Sequence, residues 1–74
     1  MASTTIAADA TGNTGALSAD TIFWVEKGEV LLTSDGGTTY IPFSENDKVQ
    51  FSSGLTIGWL NRRPTEAILT YMSL

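Results

Sequence analysis

The sequence predicts an all-β fold: a small antiparallel barrel or two-layer sandwich of about six short strands, with an extended N-terminal arm. Three observations lead there. From Thr21 onward, apolar and polar residues follow a period of two. Gly, Pro, Asn, Asp and Ser clusters interrupt that pattern at short intervals. No stretch combines a 3.6-residue apolar period with helix caps. A chain of 74 residues supports one domain that buries about three-fifths of its unfolded surface. A single flat sheet is the poorer solution, because so short a chain leaves one of its faces uncovered.

Residues 1–20 are set apart by composition. Six of the seven alanines lie there, with no aromatic residue and no Lys or Arg. Beyond Met1, its only large apolar side chains are Ile6 and Leu17, and Thr11-Gly12-Asn13-Thr14-Gly15 is turn chemistry. The segment lacks the basic and apolar regions of a signal peptide. Two readings stand: a frayed terminus, or an arm that orders on a partner by placing Ile6 and Leu17 in pockets and its backbone on a sheet edge.

Residues 21–74 form the β domain. Thr21–Glu26 is the first strand, and Lys27-Gly28 reads as a hairpin turn into Glu29–Ser34. Asp35-Gly36-Gly37 is the strongest turn signal and leads to Thr38–Phe43, an edge strand because Pro42 cannot donate to a ladder. Lys48–Ser52 places Val49 and Phe51 inward. Leu55–Leu60 puts Leu55, Ile57 and Trp59 on one face, with Gly58 opposite marking a bulge or a close backbone approach. Asn61-Arg62-Arg63-Pro64 turns the chain into Thr65–Met72, completing a meander.

Several of these strands are apolar on both sides. Phe23 and Val25 oppose Ile22 and Trp24, Leu31 opposes Val30 and Leu32, and Ile68 opposes Ala67 and Leu69. A half-solvated antiparallel sheet alternates instead, so Phe23, Leu31 and Ile68 are expected to be covered by other chains in a homo-oligomer, a trimer or a dimer. Arg62 and Arg63 are either solvated turn charges or forks for carboxylates on a neighbour.

The sequence has neither Cys nor His. That excludes disulfides, Ser-His-Asp and Cys-His catalysis, and thiolate or imidazole metal ligation. No cofactor, metal or catalytic residue is expected, and the chain reads as a non-enzyme. Glu26 and Glu29 flank one turn but have no cleft for paired-carboxylate hydrolysis. Asp35, Glu45 and Asp47 lack calcium-loop spacing, and the glycines match no phosphate-binding motif. A net charge of −4 argues against nucleic acid, and no apolar run is long enough to span a membrane as a helix. Trp24 or Trp59 stacking on a sugar leaves a carbohydrate-binding or lectin-like module as the second reading.

The arm Ser3-Thr4-Thr5-Ile6-Ala7-Ala8, the run Thr11–Gly15 and the β-rich body from Thr21 to Met72 together resemble the small head decoration (cement) proteins of tailed bacteriophages. The resemblance implies a structural virion protein made in the host cytoplasm and bound to the outer capsid surface. Its partner would be the major capsid protein or another virion structural protein, reached through the β body and the arm. The residues expected to bind partners are Ile6, Leu17, Phe23, Leu31, Arg62, Arg63 and Ile68.

Overall fold

A computed structural model describes all residues, Met1 to Leu74, and the fold is all-β. Its eight strands are β1 (Ala2–Ile6), β2 (Thr11–Ala16), β3 (Thr21–Lys27), β4 (Glu29–Thr33), β5 (Ile41–Ser44), β6 (Lys48–Phe51), β7 (Thr56–Leu60) and β8 (Ala67–Ser73). They form two four-stranded antiparallel sheets, ordered β1-β8-β3-β6 and β2-β7-β4-β5. This is a jelly-roll arrangement, in which the chain passes from sheet to sheet. Only the β4–β5 connection stays within one sheet.

Period-two alternation sets the two faces. Ile6, Phe23, Val25, Ala67 and Leu69 point inward from the first sheet, and Val30, Leu32 and Ile57 from the second; all eight are buried. Phe23 stacks on Tyr71 at 5.1 Å between ring centroids and meets Phe51 edge-on at 5.7 Å. Offset and edge-on contacts are the favoured aromatic geometries. The accessible surface is 4203 Å², against roughly 4,400 Å² expected for a folded chain of this mass. The single chain is therefore as well closed as an ordinary monomer.

Residues 1–20 are not an arm apart from the body. They supply one strand to each sheet, with Ala2–Ile6 paired to Tyr71–Ala67 and Thr11–Asn13 paired to Leu60–Gly58. These two strands widen both sheets, and Phe23, expected to need cover from another chain, is buried within this one, whereas Leu31 and Ile68 stay half-buried on the outer faces. The meander is corrected too. Lys27-Gly28 is a corner between sheets rather than a hairpin: β3 pairs with β6 and β8, while β4 pairs with β5 and β7. Gly28 takes φ +80° there, and its N–H donates to the Glu45 carboxylate at 3.0 Å. The glycine's missing side chain makes that left-handed corner inexpensive.

Candidate functional site

The space between the sheets is filled by apolar side chains. No group of three or more His, Cys, Asp or Glu converges anywhere in the molecule. The interior therefore does not fit a resident metal ion, which needs several N, O or S donors aimed at one point. No helix is long and apolar enough to cross a membrane.

The polar hollow lies on the β2-β7-β4-β5 sheet. It has a volume of about 300 Å³, at the small end of ligand pockets. Strand register explains its floor. Gly58 pairs with Asn13 on one side and Thr33 on the other, on the face opposite buried Ile57. A Cβ added at Gly58 would lie 2.9 Å from the Thr33 methyl, and one at Gly12 would lie 2.7 Å from the Trp59 indole. Both positions must be glycine for the neighbouring side chains to stay where they are. The wall is the β4–β5 loop, whose Gly36, Gly37 and Tyr40 line the hollow with Thr11, Thr56 and Trp59.

That loop is held by Asp35 and Thr33. The Thr33 hydroxyl donates to Asp35 Oδ1 at 2.7 Å and accepts from the Gly37 N–H at 3.0 Å. The Thr39 N–H donates to the same Asp35 oxygen at 2.9 Å. These bonds, the Thr39 N–H first and the Thr33 hydroxyl next, lower the Asp35 pKa below its ordinary value. The loop folds over Thr33 so closely that this outward-facing residue is buried.

A second polar node closes the other turns. Asn61 is fully buried, and its Nδ2 donates to the carbonyls of Ile6 at 3.0 Å, Ala7 at 3.3 Å and Thr65 at 2.9 Å. Its Oδ1 accepts from the Arg63 N–H at 2.9 Å. One side chain thus joins the β1–β2 corner to the β7–β8 turn.

The seven residues expected to bind partners do not converge. Ile6 and Phe23 are core residues. Leu17 is half-buried against the core, and its backbone bonds to Leu55 and Gly54 in the same chain. Leu31 and Ile68 are half-buried on the outer faces of different sheets. Arg62 is exposed. Arg63 forks onto Glu29 of its own chain, with Nε at 3.3 Å from Oε1 and Nη2 at 3.0 Å from Oε2. That bonding, followed by the charge of Glu29, raises the Arg63 pKa. Trp24 lies with Ile22, Lys48 and Met72 around a separate, mainly apolar hollow. Sequence reasoning missed Thr33, Tyr40 and the Asp35 loop as a site. The available signal was Thr33-x-Asp35-Gly36-Gly37, a hydroxyl and a carboxylate spaced to bond each other across a glycine turn.

Comparison with known proteins gives no match to a protein family and none among curated sequences. Solved structures do match. The Cupin_2 domain of an XRE-family transcriptional regulator from Enterobacter cloacae aligns with TM-score 0.81 and 17% identity over 93% of this chain and 73% of that one. A cupin superfamily protein from Desulfitobacterium hafniense aligns with TM-score 0.78 and 14% identity over 95% and 61%. A predicted oxalate decarboxylase from Thermotoga maritima aligns with TM-score 0.75 and 16% identity over 97% and 64%. This chain thus spans from 61% to 73% of the length of those three. The likeness overturns the resemblance to phage head decoration proteins. The virion role, the capsid partner and the place on the outer capsid surface fall with it. The sequence features behind that resemblance, a Thr/Ala/Gly-rich start and a β-rich body, are the outer strands and core of a jelly roll. The architecture this chain shares with those structures is the cupin fold.

Proposed function

We propose that this chain is a cupin-fold binding module that holds a small ligand on its β2-β7-β4-β5 sheet and performs no chemistry on it. The observation that carries this reading is the contrast between the two spaces. The interior is packed with aliphatic and aromatic side chains, whereas the hollow over Gly58 is ringed by hydroxyls, a carboxamide and glycine backbone. A non-catalytic role has support among similar folds, since one of them is a domain of a transcriptional regulator. The lining of the hollow offers no group able to act as a general base at neutral pH.

The test is backbone-amide NMR of the whole chain against a small-molecule cell extract. Saturable shifts confined to Gly12, Gly36, Gly37 and Gly58, with the extract's composition unchanged over time, are the expected result. Shifts mapping to the core strands instead, or steady consumption of an extract component, would overturn it.

A further inference from the structure

We infer that the ligand of this hollow is an uncharged, hydroxyl-rich small molecule, a polyol in the broad chemical sense. The inference rests on the binding-module reading and adds the ligand's chemistry. It begins from charge. None of the ten lining residues is Asp, Glu, Lys or Arg. An ion seated there would lose part of its hydration with no opposite charge to replace it. The protein's net charge of −4 adds long-range repulsion for anions. Asp35, the acid of the adjoining loop, is not among the lining residues, and its Oδ1 accepts from Thr33 and Thr39 to shape the wall.

The remaining groups suit hydroxyls. Thr33 is committed to the loop. The hydroxyls of Thr11, Thr56 and Tyr40 have no partner in the chain, so each offers both a donor and acceptor lone pairs. Asn13 accepts the Gly15 N–H through Oδ1, which leaves its NH₂ free to donate. A purely donating ligand would satisfy only half of this set, and so would a purely accepting one. A ligand hydroxyl does both. The glycine floor is packed by its own neighbours, the Thr33 methyl at Gly58 and the Trp59 indole at Gly12, so the polar contacts come from Thr11, Asn13, Tyr40 and Thr56. The Tyr40 ring in the wall supplies apolar surface for the C–H side of a polyol ring.

The experiment titrates the whole chain with four probes separately: myo-inositol, D-glucose, citrate and spermidine, following the Gly12, Gly36, Gly37 and Gly58 amides by NMR. Saturable shifts with at least one of the two polyols and none with either ion are expected. Tyr40→Phe should weaken that polyol at least fivefold while leaving the remaining spectrum intact. Gly58→Val, which fills the floor, should abolish the shifts. Because the valine must displace Thr33, Tyr40→Phe serves as the decisive variant if Gly58→Val fails to fold. Saturable binding of citrate or spermidine in place of polyols would overturn the ligand class and leave the binding-module reading intact. Undiminished polyol binding by Tyr40→Phe would overturn the assigned contacts. Silence of those four amides toward all four probes and toward the cell extract would overturn both readings.

Discussion

Asn61 and Asp35 each hold a turn together with one side chain, and the two turns differ mainly in how much water reaches them. Asn61 bonds four backbone groups from a position with no exposed surface. The Asp35 carboxylate gathers Thr33 and Thr39 from an exposed one. In water, a broken hydrogen bond is replaced by one to solvent; in the interior nothing replaces it, and the orphaned group carries its full desolvation cost. The same local chemistry therefore yields a structural lock at Asn61 and an adjustable wall at Asp35.

The largest expected effect comes from breaking the buried node. Asn61→Ala strands the carbonyls of Ile6, Ala7 and Thr65 and the N–H of Arg63, and should cost about 3 kcal/mol or more. A domain of this size holds roughly 4–11 kcal/mol in total. The loss should appear as a large drop in urea midpoint. Asn61→Asp sharpens the point, because it keeps the shape but turns an acceptor-only carboxylate toward three carbonyl oxygens. At neutral pH it should be less stable than Asn61→Ala. If both variants melt like the wild type, burial does not separate the two nodes.

How far these features could be read in the sequence follows the same division between local and distant causes. Val49 and Phe51 in Lys48–Phe51, the hairpin at Asp35-Gly36-Gly37 and the close approach at Gly58 were all legible, since each depends on residues within a few positions of itself. The first two strands were not. Ala2 finds Tyr71 and Thr11 finds Leu60, and nothing in a Thr/Ala/Gly-rich stretch specifies partners so far along the chain. Lys27-Gly28 looked like a hairpin because a corner between sheets uses the same left-handed glycine. The hollow was hidden for a related reason: its floor comes from β2, β4 and β7 and its wall from the β4–β5 loop. Asn61 read as a turn residue, and only the packed structure shows that it is the most heavily bonded side chain in the core.

A smaller effect is expected at the exposed node. Asp35→Asn keeps one acceptor oxygen but no charge, so the loop should loosen while the sheets persist. Faster amide exchange at Gly37 and Thr39, with a modest fall in melting temperature, is the expected signature. Its pH dependence has a definite sign. The folded-state pKa of Asp35 lies below its ordinary value of 3.8. The stabilisation is thus fully present above that value and is lost as pH falls through the lower, folded-state value. The gap between wild type and Asp35→Asn should narrow over that acidic window alone. A gap that stays constant into strong acid would mean that the carboxylate's charge plays no part in shaping the wall.

The smallest effect belongs to Arg63, which also borders the buried node. Its N–H serves Asn61 through the main chain, while its guanidinium forks onto Glu29 with side chains 59% and 34% exposed. Solvent and salt screen such a pair, and exposed pairs contribute little. Arg63→Ala keeps the main-chain bond and removes only the fork. The melting temperature should fall slightly at low salt and match the wild type at high salt. Raising the pH within the ordinary range should not reproduce the change, because Glu29 holds the Arg63 pKa above that of a free guanidinium. The stabilisation is complete below the unfolded value and lost only as pH rises through the folded one. A loss as large as that of Asn61→Ala would show that the exposed fork, and not the buried carboxamide, fixes the β7–β8 turn.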